Sequence, residues 1–252
     1  MFADRADAGR RLGARLKSTL IRPPSPSSTP SPPSSPPPPP LPSPVTDLLV
    51  LAIPRGGVVV GAEVAAALSS PLDLVIPRKL AAPFNEELAI GAVTEDGAVL
   101  TDDALVARLG ISKEHIDGEA RRQLAEIRRR LDRYRGRKPL PEIAGRTVVL
   151  VDDGIATGYT VRAALLSLRR RRPELLVLAV PVAPPDTLQE LRPLADRTVC
   201  LESPEFFMAV GQFYEDFSQT TDQEVIDLLA RHSSPSPGKP IGVTTAGPPA
   251  ES

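Results

Sequence analysis

The sequence predicts an α/β fold built on a mostly parallel, doubly wound sheet with helices on both faces. Two observations support this. Short apolar runs rich in β-branched residues recur along the chain, as expected of strands that are buried on both faces. Segments with helical periodicity alternate with these runs, which is the pattern of a parallel sheet. The predicted strands cover residues 48–53, 72–76, 148–151, 175–180 and 198–201.

The composition limits what kind of protein this is. Its 252 residues are 41% hydrophobic, which is enough for one sizeable core. The net charge of −1 argues against a protein built around nucleic acid or an anionic membrane. No apolar run approaches the roughly 20 residues that a membrane-spanning helix needs. A single cysteine, Cys200, leaves no internal disulfide and suits a reducing compartment. Because the N-terminus also lacks an apolar signal segment, we expect a cytoplasmic location.

Residues 1–22 are predicted to form an N-terminal amphipathic helix. Leu12, Leu16 and Leu20 fall at a spacing of four residues on one face, and arginines lie elsewhere. A basic amphipathic helix can lie on a membrane, but this apolar face is narrow. We therefore expect the helix to dock on the folded domain.

Three further segments follow from the composition. Residues 23–44 are almost only Pro and Ser, so they cannot join a sheet or a helix interior. We expect them to be a disordered linker, with recognition by a proline-binding partner as the alternative. Residues 45–232 carry the predicted strands and helices and form the domain. Residues 233–252 are rich in Pro, Ser, Gly and Thr and are expected to be a disordered tail.

The most informative stretch is residues 147–160, TVVLVDDGIATGYT. A buried strand ends in two carboxylates, Asp152 and Asp153, and a loop of small residues then leads into a helix. Loop amides and a helix N-terminus suit a phosphate, with the hydroxyls of Thr157 and Thr160 as additional donors. The carboxylates suit sugar hydroxyls or a hydrated cation. A ligand with a 5-phosphate next to a ribose diol satisfies both halves.

Basic residues follow two other predicted strands. The first strand leads into Arg55, Gly56 and Gly57, where the glycines allow a ligand to approach the backbone closely. The second leads into Arg78 and Lys79. The carboxyl ends of parallel strands border one ligand crevice, so these cations are expected to lie near the acidic pair and to bind an anion.

These motifs, PRGG, RK-L and DDG-ATG-T, resemble those of the Rossmann-like type I phosphoribosyltransferases, and of one bacterial subgroup in particular, over about residues 47–220. In that family an acidic pair holds the ribose hydroxyls of phosphoribosyl pyrophosphate (PRPP), directly or with Mg²⁺. The resemblance implies this role, and Mg²⁺ contact directly or through PRPP, for Asp152 and Asp153. The PRPP-binding residues that it implies are Arg55, Gly56, Gly57, Arg78, Lys79, Asp152, Asp153, Gly154, Ala156, Thr157, Gly158, Tyr159 and Thr160.

The implied activity is Mg²⁺-dependent transfer of a phosphoribosyl group to a base or another nitrogen acceptor, with release of pyrophosphate. The catalytic residues implied are Arg55, Lys79, Asp152 and Asp153. Members that act on hypoxanthine or guanine carry an Asp at the position of Ala156, which argues against those two bases here. The alternative is a non-catalytic regulator that binds PRPP or a nucleotide, with RNA as a further ligand. Outside that alternative we expect no nucleic-acid partner, and a homodimer is left open.

Three segments complete the prediction. Residues 80–96 show no clear period and are expected to be a mobile loop that acts as a lid. Residues 112–134 form a helical insertion whose arginines alternate with acids, as on a solvated, salt-bridged face. Residues 205–222 hold most of the aromatic side chains and are expected to form a C-terminal flap, with an oligomer contact as the alternative. In that flap Phe206, Phe207 or Tyr214 contacts the acceptor, unless these rings serve in the core.

Overall fold

The computed structural model describes residues 1–20, 47–136, 138 and 141–232. The predicted linker, residues 23–44, and the predicted tail, residues 233–252, lie outside the described residues. In chain order the elements are α1 (Arg5–Leu20), β1 (Leu48–Ala52), α2 (Gly56–Leu68), β2 (Leu72–Leu74), β3 (Arg78–Ala82), β4 (Asn85–Val93), β5 (Val99–Thr101), α3 (Asp103–Leu109), α4 (Lys113–Arg135), β6 (Thr147–Val151), α5 (Tyr159–Arg170), β7 (Leu175–Val182), α6 (Pro185–Leu191), β8 (Arg197–Glu202) and α7 (Asp222–His232).

The main sheet has five parallel strands in the order β2-β1-β6-β7-β8. The order reverses direction between β1 and β6, which are hydrogen-bonded neighbours with Ala52 opposite Val151. In a doubly wound sheet this reversal opens a crevice at the carboxyl ends of the two strands. The predicted fold class is confirmed, and the crevice lies where the glycine loop and the acidic pair begin.

Strand β6 illustrates why the sheet is covered on both faces. Successive side chains of a strand point to opposite faces. Val149 and Val151 pack with residues of α1, α2, α4 and α7. Val148 and Leu150 pack with residues of α5 and α6 instead. A strand that must bury both faces has no polar alternation, which is why its sequence is continuously apolar.

A second sheet of three antiparallel strands, β3-β4-β5, follows the main sheet's second strand. The prediction of a loop over residues 80–96 was therefore wrong. Leu80 and Ile90 are fully buried in this sheet, and the pairing of β3 with β4 is irregular. Gly91 has a packing role, since a side chain there would come within 2.2 Å of the Leu100 carbonyl oxygen.

Helix α1 docks on the domain, as predicted. Leu12 and Leu16 are fully buried. Gly9 and Gly13 let α1 approach α2 closely, because a Cβ at these positions would lie 2.7 Å from Glu63 Cβ and 2.6 Å from Ala67 Cβ. Across the parts of the chain that the structure describes, we find no helix of the length and apolarity needed to cross a membrane.

Candidate functional site

The acidic pair lies directly after β6. The backbone N–H of Asp153 donates to Asp152 Oδ1 at 2.9 Å, which fixes the Asp152 carboxylate against the backbone of its neighbour. Burial, followed by the negative charge of Asp153, raises the pKa of Asp152 well above its ordinary value. Positive charge beside the pair would offset this effect, because it favours the ionised carboxylate.

An arginine from the N-terminal helix completes the acidic pair. Arg5 Nε donates to Asp153 Oδ2 at 2.7 Å, and Arg5 Nη1 donates to the Ser218 carbonyl oxygen at 2.7 Å. The guanidinium also lies 3.8 Å from the centre of the Phe217 ring. Sequence reasoning missed Arg5, since a residue 148 positions away from its partner leaves no local signal.

The glycine loop after β1, whose Gly56 and Gly57 form the first residues of α2, faces the same carboxylates. A Cβ at Gly56 would lie 1.9 Å from Asp153 Oδ2 and 2.6 Å from Arg5 Nε. A Cβ at Gly57 would lie 3.0 Å from Asp152 Oδ1. These glycines let the loop approach the acidic pair. The Pro54–Arg55 peptide is cis, and Arg55 Nη1 lies 3.7 Å from Asp222 Oδ1.

The predicted phosphate loop connects Asp153 to α5. The Ile155 amide donates to the Val182 carbonyl at 2.9 Å, which anchors the loop on β7. Gly158, which precedes α5, has a φ of +76°, and a Cβ there would lie 2.7 Å from Thr187 Cγ2. Thr187 Oγ1 in turn donates to the Ala156 carbonyl oxygen at 3.0 Å. The loop thus leads into a helix N-terminus, whose free amides favour an anion.

The side chains of this loop point to different places. Thr160 lines the crevice between β1 and β6. Thr157 and Tyr159 instead line a separate cavity of about 480 Å³, and Tyr159 is 48% exposed. The ring of Tyr159 therefore lies outside the crevice.

Two adjoining chambers open at the carboxyl end of the sheet. One of about 380 Å³, here called the ribose chamber, is lined by Arg5, Arg55, Gly56, Asp152, Asp153 and Phe217, among others. The second, here called the α4 chamber, has about 430 Å³ and is lined by Arg78 and Lys79 of β3 and by residues of α4. Both chambers include Ile53, Pro54 and Thr160. The structure thus brings the acidic pair and the glycine loop together and places Arg78 and Lys79 in the neighbouring chamber.

The aromatic segment places its rings partly in the core, the alternative that the prediction left open, and partly at the surface. Tyr214 is 6% exposed, packs on Phe2 at 5.4 Å between ring centres, and donates its hydroxyl to the Asp153 carbonyl oxygen. Tyr214 therefore supports the acidic pair from the core and is not a stacking surface. Phe206 is 89% exposed and Phe207 stacks on Phe213, outside the lining of both chambers. Phe217, which the prediction does not name as an acceptor contact, is the one aromatic side chain of the described residues that lines the ribose chamber.

The fold and this crevice define the class of protein. Residues 44–218 match the family model "Phosphoribosyl transferase domain". The chain belongs to this family, and the predicted resemblance is confirmed.

The chain is also similar to individual known proteins. Two Mycobacterium tuberculosis proteins, named "Putative phosphoribosyl transferase Rv0571c" and "Putative phosphoribosyl transferase MT0597", are each 40% identical over 232 residues. The alignments cover 92% of this chain and 47% of each relative, so the chain spans about half of their length. The crystal structure of TT1426 from Thermus thermophilus superimposes with a TM-score of 0.76 at 36% identity. That match covers 93% of this chain and the whole of TT1426.

Proposed function

We propose that the chain transfers the phosphoribosyl group of PRPP to a nitrogen acceptor and releases pyrophosphate. One observation carries this proposal: the acidic pair, the two-glycine loop and Thr160 of the phosphate loop meet around a single chamber. Each of these parts matches a different portion of PRPP. The carboxylates suit the ribose hydroxyls, the loop before α5 suits the 5-phosphate, and the cationic glycine loop suits the pyrophosphate.

In the proposed reaction the anomeric C–O bond breaks, and its electron pair leaves on pyrophosphate. The acceptor's nitrogen lone pair forms the new C–N bond, and the nitrogen releases its proton to water. The sugar carries positive charge in such a transition state, as in glycoside hydrolysis. Asp152 and Asp153 orient the ribose and lie near that charge. Arg55 and Lys79 stabilise the charge that develops on the leaving group.

The acidic pair also fits Mg²⁺. Carboxylate oxygens are ligands that Mg²⁺ prefers, and the ion is commonly held by one or two carboxylates together with substrate phosphates. Among the described residues there is no group of three or more His, Cys, Asp or Glu side chains able to hold a metal. Asp152 and Asp153 would hold the ion jointly with oxygens of PRPP. When bound, Mg²⁺ would add positive charge beside the departing pyrophosphate.

The test is the double substitution Asp152→Asn and Asp153→Asn. Wild-type protein, Mg²⁺ and PRPP are incubated with a panel of purine and pyrimidine bases, and pyrophosphate release is measured. We expect the double variant to lose at least about 10²-fold in rate, because it loses the charges that orient the ribose. Asp227→Asn, an exposed substitution on α7, is the matched control and should keep the wild-type rate.

Two results would overturn the proposal. One is pyrophosphate release at the wild-type rate in the folded double variant. The other is tight PRPP binding without turnover for every acceptor tested, which would favour the non-catalytic regulator.

The RNA-binding form of that regulator receives little support from α4, whose Arg122, Arg129 and Arg130 already pair with carboxylates of the same helix. A base or other nitrogen acceptor, a homodimer, a lid role for residues 80–96 and a cytoplasmic location stay predictions.

A further inference from the structure

Tyr159 belongs to the phosphate-loop motif, but the proposed function does not use its ring. The ring is 48% exposed and lines the separate cavity of about 480 Å³, here called the α5 cavity. Strands β4 and β5 form one side of this cavity, and helices α5 and α6 form the other. A volume of this size accommodates a small organic ligand.

The walls of the α5 cavity suit a flat ring. Strand β4 contributes residues with little or no side chain, namely Ala89, Gly91 and Ala92. Leu100 of β5 and Leu166 of α5 are half-buried in the lining, and they lie outside the apolar clusters that the described residues form around the main sheet. Tyr159 adds an aromatic ring to these two apolar side chains. An aromatic side chain stacks well on a planar heteroaromatic ring.

The charged groups of the lining determine which ring would bind. Arg162 Nη2 lies 3.0 Å from Glu190 Oε2, so these two charges offset each other. Asp102 adds a second carboxylate, and its Oδ1 accepts from the Leu105 amide at 2.9 Å, which fixes it at the start of α3. Among the described residues that line the cavity, Arg162 is the single cation, so the lining carries one net negative charge. Such a lining disfavours phosphate groups and favours N–H donors.

The α5 cavity shares a wall with the phosphate loop. Thr187 lines the cavity and donates its hydroxyl to the Ala156 carbonyl oxygen at 3.0 Å. The methyl group of Thr187 packs against Gly158, where a Cβ would come within 2.7 Å of it. Thr157 and Tyr159, from the loop and the start of α5, line the cavity themselves. A ligand in this cavity would therefore contact the phosphate loop from outside the ribose chamber.

We propose that the α5 cavity binds an uncharged planar heteroaromatic ring that carries an amino group, and that this ligand tightens the binding of PRPP. The ring packs against Tyr159, and its amino group donates to Asp102. A ligand that packs on Thr187 restricts the phosphate loop, so less ordering remains when the 5-phosphate binds. The coupling rests on the proposed function, whereas the binding of the ring does not.

Adenosine is the probe for the site. It is uncharged and carries an amino group on a planar ring, and the ring nitrogen that would accept a phosphoribosyl group already holds a sugar. Its binding is measured by calorimetry without PRPP or Mg²⁺. We expect Tyr159→Ala to lose at least about fivefold in affinity, because stacking on an aromatic side chain is worth about that factor or more. Tyr159→Phe keeps the ring and should stay within about twofold of the wild type.

A second pair of variants tests the carboxylate. Asp102→Asn removes the charge, but asparagine still caps α3. We expect this variant to lose about threefold or more in adenosine affinity, since a hydrogen bond to a charged acceptor is stronger than one to a neutral acceptor. Asp103→Asn, at the next and exposed position outside the lining, is the control and should bind as the wild type does. Inosine, which lacks the amino group, should bind the wild type more weakly than adenosine.

Three results would overturn the inference. The first is a wild-type protein that does not bind adenosine. The second is adenosine affinity that neither Tyr159→Ala nor Asp102→Asn changes. The third is adenosine binding that is lost in Asp152→Asn/Asp153→Asn but kept in Tyr159→Ala, which would place the probe in the ribose chamber.

The coupling is measured as the affinity for PRPP with and without saturating adenosine. We expect an increase of about threefold or more in the wild type, and by linkage PRPP should raise the affinity for adenosine by the same factor. In Tyr159→Ala the ratio of the two PRPP affinities should return to about one. An unchanged PRPP affinity in the wild type would refute the coupling. Adenosine binding at the α5 cavity in a protein that does not bind PRPP would support the site and sink the proposed function.

Discussion

At the scale of single residues, Arg5 connects the N-terminal helix to the acidic pair. Its guanidinium binds Asp153, donates to the Ser218 carbonyl and lies over Phe217. The side chains of the Arg5–Asp153 pair are only 11% and 17% exposed, so this ion pair is screened less than a surface pair. Gly56 is compatible with the pair because it has no side chain to meet it. Arg5 is therefore a positioning residue for Asp153.

Replacing Arg5 by Gln should destabilise the protein by about 1–3 kcal/mol, because a partly buried carboxylate loses its charged partner. The KM for PRPP should also rise, since Asp153 loses its fixed orientation. Arg10→Gln, an exposed substitution on the same helix, is the control for denaturant unfolding. Equal unfolding free energies for the two variants would contradict a role for Arg5 at the site.

At the scale of the elements, α4 combines two uses of charge. One set of its arginines borders the α4 chamber, and ion pairs within the helix stabilise its exposed face. Glu126 serves both, because it accepts hydrogen bonds from Arg129 and Arg130. These hydrogen bonds lower the pKa of Glu126 from 4.5 to about 2. The folded state therefore binds fewer protons at this position than the unfolded state between those values.

The substitution Glu126→Gln tests this contribution. A lowered carboxyl pKa stabilises the fold above the unfolded value of 4.5, and this stabilisation is lost as the pH falls toward about 2. The free energy of unfolding of the wild type should exceed that of the variant by about 0.5 kcal/mol at pH 7. This difference is small because the ion pairs are exposed. The difference should shrink to nearly zero at about pH 2. A difference that stays constant across a series of denaturant unfolding curves would contradict the proposed cause.

Elements also differ in how well the sequence predicts them. Strand β6 is predictable because both of its faces are buried, so every side chain from Val148 to Val151 is apolar. The β3–β4 hairpin is not predictable in this way, because its turn at Pro83 and its close packing at Gly91 require residues that usually signal a loop.

The motif residues of the site could be predicted from the local sequence pattern. Arg5, Phe217, Arg122 and Arg130 could not, because only the tertiary fold brings them to the crevice.

At the scale of the whole molecule, the site depends on segments far apart in the chain. The family model covers residues 44–218, whereas Arg5 lies on α1, well before that range. Helix α1 is held to the domain by buried leucines, and Phe2 packs on Tyr214, whose hydroxyl binds the Asp153 backbone. Docking of α1 therefore contributes to both stability and the geometry of the acidic pair.

Leu16→Ala tests the contribution of this docking. Leu16 is fully buried, so its truncation should cost about 2–5 kcal/mol through lost apolar burial and the cavity left behind. For a domain of this size that cost corresponds to a fall in Tm of several degrees or more. Lys17→Ala, at the next and exposed position, should stay within about 0.5 kcal/mol of the wild type. Circular dichroism in the far ultraviolet follows both unfolding transitions. If Leu16→Ala had the same Tm as the control, α1 would not be part of the cooperative core. Arg5 would then have no stable position at the site.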